Sequence, residues 1–273
     1  MARQIYFNGK FIKVEEASIP VLDPGFLFGL ALFETMRWHN GRIVYFDAHL
    51  KRIRDGAKSI GLDFSYSCDR LKTIIKKVAR LNRLEDGYVK MLIWRGQKKT
   101  GIMVIAKEYV PHPRLKYKKG FSVCISNLRK DEGCFLSGLK STNRILYQLS
   151  MRQAEKSGFD EALILNSRGY LSEASRSNIF FAKDSELFTP GLECACLPGI
   201  TRKAVFDLAA RLGIKVYEGN FTKEDLSGAD EAFLTNSLMG IMPLTSINGK
   251  NIGKGKCGYL TRIIIRRYNC LLK

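Results

Sequence analysis

The sequence Gly169-Tyr170-Leu171-Ser172-Glu173-Ala174-Ser175-Arg176-Ser177-Asn178-Ile179-Phe180 contains two predicted strands, at 170–173 and 178–182, which are joined by small residues. Another strand is predicted before this segment, at 161–166, and a helix after it, at 199–212. Strands that occur in runs, rather than in regular alternation with helices, are typical of α+β proteins. We therefore expect an α+β fold.

The chain upstream of this segment contains the same kinds of element. The turn residues Asn8-Gly9 separate two short strands, and the apolar spacing of residues 49–60 and 71–81 predicts two amphipathic helices. Further strands are predicted at 33–37, 89–94, 101–106 and 121–126, and a helix at 142–156. The prolines and lysines of 111–120 are typical of a linker. The sequence therefore predicts a small N-terminal α/β domain over 1–110 and a larger C-terminal domain over 121–273.

The composition is that of an ordinary globular protein. With 273 residues, of which 45% are hydrophobic and 26% charged, the chain can bury a core without disulfides. It has no apolar run of the roughly 20 residues that a membrane helix needs and no signal-peptide pattern, so we expect a cytoplasmic protein. Its seven cysteines and three histidines lack ligand spacing, so we expect no metal site.

The formal net charge of +19 is the unusual feature of the composition. A strongly basic protein attracts anionic partners, and nucleic acid is one class of them. The basic residues are spread along the chain, however, without an arginine-rich tail or a basic-aromatic motif. We therefore expect a small anionic substrate as partner, and neither nucleic acid nor a membrane.

Two ionisable residues are candidates for chemistry. Lys140, in Gly138-Leu139-Lys140-Ser141-Thr142-Asn143-Arg144, is predicted at an apolar strand end before a helix. It is either a surface charge or a desolvated lysine whose lowered pKa makes it an amine nucleophile. Glu173 closes its strand either as a surface charge or as the partner of a protonated ring nitrogen in a cofactor.

A third candidate feature is an anion site at the start of a helix. Leu197-Pro198-Gly199-Ile200-Thr201-Arg202 opens the helix predicted at 199–212, where backbone N–H groups and a threonine hydroxyl could bind phosphate. The Pro-Gly pair could equally form a simple cap. Arg52 and Ser237 could add phosphate donors, or could be solvated or capping residues.

Taken together and in this order, these segments resemble the class IV aminotransferases, the fold-type IV enzymes that use pyridoxal 5′-phosphate. The resemblance covers the chain almost from end to end, and its specificity lies in the set rather than in any one motif. The matching motifs are Asn8-Gly9, Phe28-Gly29, Phe33-Glu34-Thr35, His49 with Arg52, Lys140, Glu173 with Asn178, Leu197 to Arg202, Ala229-Asp230-Glu231 and Pro243.

The resemblance implies a role for each candidate residue. Lys140 would bind pyridoxal 5′-phosphate as a Schiff base and move the proton at the substrate α-carbon, while Glu173 would keep the pyridine nitrogen protonated. The other cofactor contacts would be Arg52, Ile200, Thr201 and Ser237 at the phosphate and Arg144 near the ring hydroxyl. The substrate contacts would be Phe28, Phe33, Arg144, Asn236 and Leu238. The resemblance also implies a homodimer, with the active site in the cleft between the two domains of each chain.

The local motifs leave the reaction open. Lys140-Ser141-Thr142-Asn143-Arg144 and Asn236-Ser237-Leu238-Met239-Gly240-Ile241-Met242-Pro243 resemble aminodeoxychorismate lyase, which predicts release of pyruvate and p-aminobenzoate in folate biosynthesis. The alternative is a transaminase for branched-chain or D-amino acids, although branched-chain transaminases usually carry Gly-Thr-Ala where this chain has Asn236-Ser237-Leu238. A more distant alternative is a nucleic-acid-binding protein on the same fold.

Overall fold

A computed structural model describes residues 4–272 of the chain. They divide into two compact units. The first contains the residues up to Val110 together with Leu139–Asn143, and the second contains Pro111–Gly138 and the residues from Arg144 onward. This division differs from the predicted one in two places. The expected linker, 111–120, belongs to the second unit and contains a helix, Arg114–Lys119, and the segment around Lys140 belongs to the first unit because its backbone pairs with a strand there.

The first unit is an antiparallel sheet with helices packed on it. Its strands are β1 (Gln4–Phe7), β2 (Lys10–Lys13), β3 (Ala31–His39), β4 (Arg42–Ile43), β5 (Gly87–Arg95) and β6 (Thr100–Glu108), and its helices are α1 (Pro24–Leu27), α2 (Phe46–Ser59) and α3 (Cys68–Leu81). The strand order is β2-β1-β6-β5-β3-β4. The apolar faces of α2 and α3 supply Ile53, Leu71 and Ile75 to the core, where they meet Met36 and Met91 of the sheet. The two predicted amphipathic helices are therefore confirmed.

The second unit has a larger, mixed sheet. Its elements are α4 (Arg114–Lys119), β7 (Phe121–Lys130), α5 (Ile145–Lys156), β8 (Glu161–Asn166), β9 (Leu171–Ala174), β10 (Asn178–Lys183), β11 (Glu186–Pro190), α6 (Ile200–Arg211), β12 (Val216–Gly219), α7 (Lys223–Ser227), β13 (Glu231–Asn236), β14 (Gly240–Ile247), β15 (Lys250–Asn251) and α8 (Tyr259–Leu272). The strand order is β12-β11-β10-β13-β14-β7-β8-β9, and β15 pairs with β14. Helix α5 begins at Ile145, three residues later than the predicted start at 142. None of the helices in residues 4–272 is long and apolar enough to cross a bilayer.

Strands β8, β9 and β10 are almost completely buried, and β9 carries the candidate residue Glu173. β8 pairs in parallel with β7 and antiparallel with β9. The register places Ile164 opposite Glu173 and Asn178 opposite Thr235 of β13. The sequence from Glu173 to Asn178 therefore joins two strands whose ends also reach the start of α6 and the end of β13.

Candidate active site

Lys140 lies in an extended segment of the first unit rather than at the end of a strand. Its backbone oxygen accepts a hydrogen bond from Phe33 N at 2.9 Å, and Ser141 forms a bridge with Leu32. The Lys140 side chain is half-buried, and its Nζ lies 4.8 Å from the centroid of the Phe33 ring. Backbone pairing with β3 thus holds the lysine over an aromatic face, where a cation is favoured.

Gly29 allows this segment to approach so closely. Its φ of +65° is in the left-handed region, and a Cβ added to it would clash with Asn143 Oδ1. Asn143 Nδ2 donates to Gly29 O at 3.2 Å, and Thr142 N donates to Ala31 O at 3.0 Å. A side chain at position 29 would be excluded both by the backbone conformation and by the neighbouring amide.

Arg52, a predicted phosphate ligand, is held by a buried carboxylate. Its Nε and Nη2 donate to the two oxygens of Glu34, each at 2.7 Å, and His49 Nδ1 lies 2.6 Å from Glu34 Oε2. Burial alone would raise the pKa of Glu34, but the Arg52 charge and the hydrogen bonds from His49 and Arg52 outweigh it and lower the pKa to about 2. Burial also lowers the pKa of His49, so a neutral ring donates through Nδ1. This cluster fixes the orientation of the Arg52 guanidinium.

The two candidate phenylalanines of the first unit differ in exposure. Phe33 is half-buried, and the ammonium groups of Lys140 and Lys90 lie 4.8 and 4.9 Å from its ring centroid. Phe28 caps the end of α1 and is 69% exposed. Phe33 is therefore placed beside the candidate nucleophile, whereas Phe28 is part of an exposed apolar segment.

Glu173, in the second unit, is buried at 5% exposure and accepts hydrogen bonds at both oxygens. Oε1 accepts from Lys130 Nζ at 2.5 Å and from Tyr147 Oη at 2.7 Å, and Oε2 accepts from Leu197 N at 3.2 Å. Burial would raise the pKa of Glu173, but the Lys130 charge and hydrogen bond, together with Tyr147 and Arg144, lower it. Burial and the Glu173 charge raise the pKa of Tyr147, which therefore stays a donor. Glu173 is an ionised carboxylate and not a strand-end surface charge.

The turn after Glu173 is tied to a second buried carboxylate, Glu161. Its Oε1 accepts from Ser177 Oγ at 2.7 Å and its Oε2 from Arg176 N at 2.9 Å. Burial raises the pKa of Glu161, because the hydrogen bonds from these neutral donors compensate only in part. Glu161 thereby orders the turn between β9 and β10.

Arg144 contacts the same turn. Its Nη2 donates to Ser175 O at 2.9 Å, and its guanidinium carbon lies 3.5 Å from the centroid of the Tyr147 ring. The guanidinium is therefore stacked and hydrogen-bonded within the second unit, and it is not a solvated group at the start of a helix.

The predicted phosphate site contains a buried polar atom that has no partner in the described part of the chain. Thr201 is 2% exposed, and its Oγ1 has no hydrogen-bond partner among the described residues. It lies in the first turn of α6, where the backbone N–H groups have no acceptors within the helix and no side chain of residues 4–272 caps them. Gly199, which precedes the helix, packs so closely on Asn178 that a Cβ would clash with Oδ1. The start of α6 thus brings uncapped backbone N–H groups and a hydroxyl together, which are the donors that an anion needs.

Asn236 and Leu238, predicted substrate contacts, form the turn between β13 and β14. Asn236 Oδ1 accepts from Leu238 N at 3.0 Å and from Met239 N at 2.9 Å, and its Nδ2 donates to Ser177 Oγ at 3.2 Å. Ser237 is the half-buried first residue of this turn. Asn178 connects it with the phosphate site, because Asn178 pairs with Thr235 and its Nδ2 donates to Leu197 O at 2.9 Å. The Asn236 side chain therefore stabilises the turn between β13 and β14.

The structure thus gathers the candidates into two sets. In the first unit, Lys140, Phe33 and the Glu34–Arg52 pair lie along β3 and α2. In the second unit, Arg144, Glu173, Ile200, Thr201, Asn236, Ser237 and Leu238 surround the β9–β10 turn and the start of α6.

The sequence profile of the class IV aminotransferases matches residues 31–247. The chain belongs to this family. The match includes Lys140, Glu173, Thr201 and Ser237, so all of the motifs between β3 and β14 lie within the family's common region. Class IV aminotransferases use pyridoxal 5′-phosphate. The predicted family, enzyme class and cofactor are therefore confirmed.

Named relatives and solved structures match over nearly the full chain. The branched-chain-amino-acid aminotransferase of Escherichia coli K12 is 32% identical, over 96% of this chain and 91% of its own, and the D-alanine aminotransferase of Bacillus licheniformis is 30% identical, over 95% and 93%. The crystal structure of the E. coli branched-chain enzyme superposes with a TM-score of 0.94 at 29% identity, over 100% of this chain and 95% of that one. The predicted fold-type IV, α+β class is confirmed.

Two further structures bear on cofactor and reaction. A second branched-chain aminotransferase, solved with pyridoxamine 5′-phosphate, has a TM-score of 0.92 at 28% identity, covering 98% of this chain and 93% of that one. A Legionella pneumophila protein with a provisional assignment as 4-amino-4-deoxychorismate lyase has a TM-score of 0.87 at 26% identity, covering 94% and 97%. The prediction of a lyase is thus less well supported than its transaminase alternative, because the two sequence relatives described above, at 32% and 30% identity, are aminotransferases.

Five residues at these sites were not predicted from the sequence to be functional. They are Glu34, His49, Lys130, Tyr147 and Glu161, each a side chain that contacts a candidate residue or the turn beside it. Glu34 and His49 belong to the family motifs, and this place in the motifs is a signal from which the sequence could have identified them. Lys130, Tyr147 and Glu161 lie in ordinary strands or helices, and only their three-dimensional neighbours distinguish them.

Proposed function

We propose that this protein is a branched-chain-amino-acid aminotransferase that uses pyridoxal 5′-phosphate. The observation that carries the proposal is the near-complete match, in sequence and in fold, to aminotransferases of that name. The turn geometry adds support. The Asn236-to-Pro243 motif, which favoured a lyase, is accounted for by a turn in which the asparagine side chain bonds to Leu238 N, Met239 N and Ser177 Oγ.

The residues present fit the cofactor. The Thr201 hydroxyl, which has no partner among the described residues, and the first N–H groups of α6 suit a phosphate. The family resemblance assigns Ser237 and Arg52 as further phosphate donors. Glu173, an ionised and buried carboxylate, suits a protonated ring nitrogen. Lys140 offers the primary amine that attaches the cofactor.

Pyridoxal 5′-phosphate, when bound, supplies the electron sink that stabilises negative charge at the substrate α-carbon. In our proposal Lys140 removes the α-proton and returns a proton at the end of amino-group transfer. Glu173 holds the proton on the ring nitrogen, and the residues at the start of α6 hold the phosphate. Phe33, beside Lys140, gives the amine an apolar neighbour that excludes water and suits a branched aliphatic side chain.

An activity comparison tests the proposal. We expect transfer of the amino group from L-leucine to 2-oxoglutarate to be faster than transfer from D-alanine and faster than pyruvate release from aminodeoxychorismate. Faster reaction of D-alanine would assign the enzyme to D-amino acids, for which the 30% identity to a D-alanine aminotransferase is the motivation. Faster pyruvate release without a keto acid would restore the lyase assignment.

The attachment site can be tested separately. Borohydride reduction of the holoenzyme followed by peptide mapping should place the pyridoxyl label on Lys140, and Lys140→Ala should take up no label. A label on Lys130 would overturn the assignment. That outcome is not expected, because the Lys130 ammonium is paired with Glu173 and is therefore a poor nucleophile.

We also propose that the protein is a homodimer. Val21, Leu22, Phe26, Leu27 and Phe28 form an exposed apolar segment in which each side chain is at least half exposed, and apolar segments of this kind usually mark a protein interface. Phe26→Asp should convert a dimer to a monomer in light-scattering measurements of molar mass. A monomeric wild-type protein at micromolar concentration would contradict this proposal.

A further inference from the structure

Lys130 is a buried cation that no part of the proposed reaction uses. It is the last residue of β7, and its side chain is 5% exposed. Its Nζ lies 2.5 Å from Glu173 Oε1 and 2.6 Å from Tyr147 Oη. A lysine is rarely buried unless it is paired, and here the partner is the carboxylate assigned to the cofactor ring.

The hydrogen bonds distinguish the two oxygens of Glu173. A carboxylate has about four acceptor positions, two on each oxygen. Lys130 and Tyr147 both donate to Oε1, whereas Oε2 accepts only the Leu197 N–H among the described residues. One acceptor position therefore remains, and it is on Oε2.

The neighbouring carboxylate Glu161 shows how burial changes a pKa when no cation of the described residues lies at hydrogen-bond distance. Glu161 lies on β8, next to β9, and its donors are the backbone N–H of Arg176 and the hydroxyls of Ser175 and Ser177. Burial raises its pKa, whereas the pKa of Glu173 is lowered. Among the groups that contact Glu173, Lys130 is the cation, since Tyr147 is neutral and the Arg144 guanidinium is stacked on the Tyr147 ring.

We propose that Lys130 is a positioning residue: its ammonium keeps Glu173 in the carboxylate form and occupies Oε1, so that Oε2 is the oxygen that receives the N–H of the cofactor ring. The inference rests on the proposed role of Glu173. A proton shared between Glu173 and the ring nitrogen lies on the nitrogen when the carboxylate is stabilised by Lys130. Without Lys130 the buried carboxyl group would hold that proton itself, and the ring would be a weaker electron sink.

The first test is independent of catalysis. Infrared spectra of the full-length protein, freed of cofactor at neutral pH, should show a protonated carboxylic acid for Glu173 in Lys130→Met but not in the wild type. The difference between Lys130→Met and Lys130→Met/Glu173→Gln assigns the band to Glu173, because both proteins retain Glu161 and its contribution cancels. Absence of the band in Lys130→Met would overturn the proposal.

The second test uses the holoenzyme. Lys130→Met should lower kcat by about 10-fold to 100-fold, the size typical of groups that orient a catalytic residue, with little change in KM. Lys130→Arg, which keeps the charge, should recover most of kcat and show no acid band. The matched control is Lys183→Met, at an exposed position on β10, which should match the wild type. Loss of kcat in Lys130→Arg equal to that in Lys130→Met would contradict a charge-based role.

The two proposals can fail separately. Full activity of Glu173→Gln would reject the role of Glu173 while leaving the infrared result valid for its ionisation. If Lys130→Met fails to fold, the Lys130→Met/Glu173→Gln variant, which removes both charges, tests whether Glu173 without its partner causes the failure. Recovery of folding identifies an unpaired Glu173 as the cause and supports the proposal, whereas a double variant that is equally unfolded contradicts it.

Discussion

Glu161 and Glu173 lie on neighbouring strands, are both buried, and nevertheless have opposite electrostatic environments. Glu161 is 3% exposed and accepts from a backbone N–H and two hydroxyls, and its pKa is raised. Glu173 is 5% exposed and accepts from an ammonium, a phenol and a backbone N–H, and its pKa is lowered. Hydrogen bonds from neutral groups only partly offset the rise in pKa that burial causes, whereas a contacting cation turns it into a decrease.

The difference in ionisation suits the different roles of the two carboxyl groups. Glu161 binds the turn at residues 175–177, which also receives Arg144 and Asn236, and a protonated or amide side chain could do much of this. Glu173 must be charged if it is to hold a proton on a cofactor nitrogen. Comparison of the same Glu→Gln change at the two positions therefore separates a structural carboxyl group from a functional one.

The largest difference should appear in turnover. Glu173→Gln should lower kcat by about 100-fold or more, because an amide cannot keep the ring nitrogen protonated and an effect of this size is usual for loss of a group that controls a proton. Glu161→Gln should retain most of the activity. Steady-state kinetics of both holoenzymes, with cofactor occupancy measured by absorbance, would check this, and similar losses at the two positions would remove the functional distinction.

The next difference should appear in stability. Glu173→Gln leaves the Lys130 ammonium buried without its carboxylate, and breaking a buried ion pair costs about 3–5 kcal/mol. Urea denaturation should show that loss, and Lys130→Met in the same chain should restore part of it. If the double variant is less stable than Glu173→Gln, Lys130 is favourable without its partner and the ion-pair description is wrong.

The pH dependence of stability should have opposite signs at the two carboxylates. Glu173 and, in the first unit, Glu34 have lowered pKa values, so their contributions are present above their ordinary pKa of 4.5 and are lost as the pH falls, towards about 2 for Glu34. Glu161 has a raised pKa, so its contribution is greatest below 4.5 and decreases as the pH rises towards its folded-state pKa.

The Glu161→Gln variant isolates the contribution of Glu161 to the pH dependence of stability. Relative to the wild type, the variant should gain stability as the pH rises above 4.5, by at most about 1.4 kcal/mol per pH unit for one proton. Thermal melts in buffers on both sides of that value would measure it. A stability difference that is constant across this range would mean that Glu161 has an unshifted pKa.

The smallest effect should be that of Glu161→Gln at acid pH. Below pH 4.5 the wild-type side chain is itself protonated, so the substitution exchanges one neutral side chain for another. The free energy of unfolding should therefore fall by no more than about 1 kcal/mol. Glu161→Ala is the matched comparison, because it leaves Arg176 N and Ser177 Oγ without their acceptor. Equal losses for the Gln and Ala variants would show that these hydrogen bonds are unimportant.

Much of the fold could be predicted because its elements have regular apolar patterns. The strands around Asn8-Gly9 and the helices at α2 and α3 follow from a turn dipeptide and from helical spacing, and both lie within a few residues of the predicted bounds. The strands after α6 were not predicted. Strands β13 and β14 are almost wholly buried, so they lack the alternation of apolar and polar residues that identifies a half-exposed strand.

The sequence by itself determined the family and the residue types of the site, because the order of motifs around Lys140, Glu173 and Thr201 is specific even though each motif is weak. The tertiary structure decided which charges meet. Lys130 and Glu173 are 43 residues apart in the chain and Glu34 and Arg52 are 18 apart, and no sequence spacing predicts these pairs. Coulombic and desolvation effects depend on distance in space and on burial, so the ionisation of Glu173 could be derived only once β7 and β9 were placed beside α5.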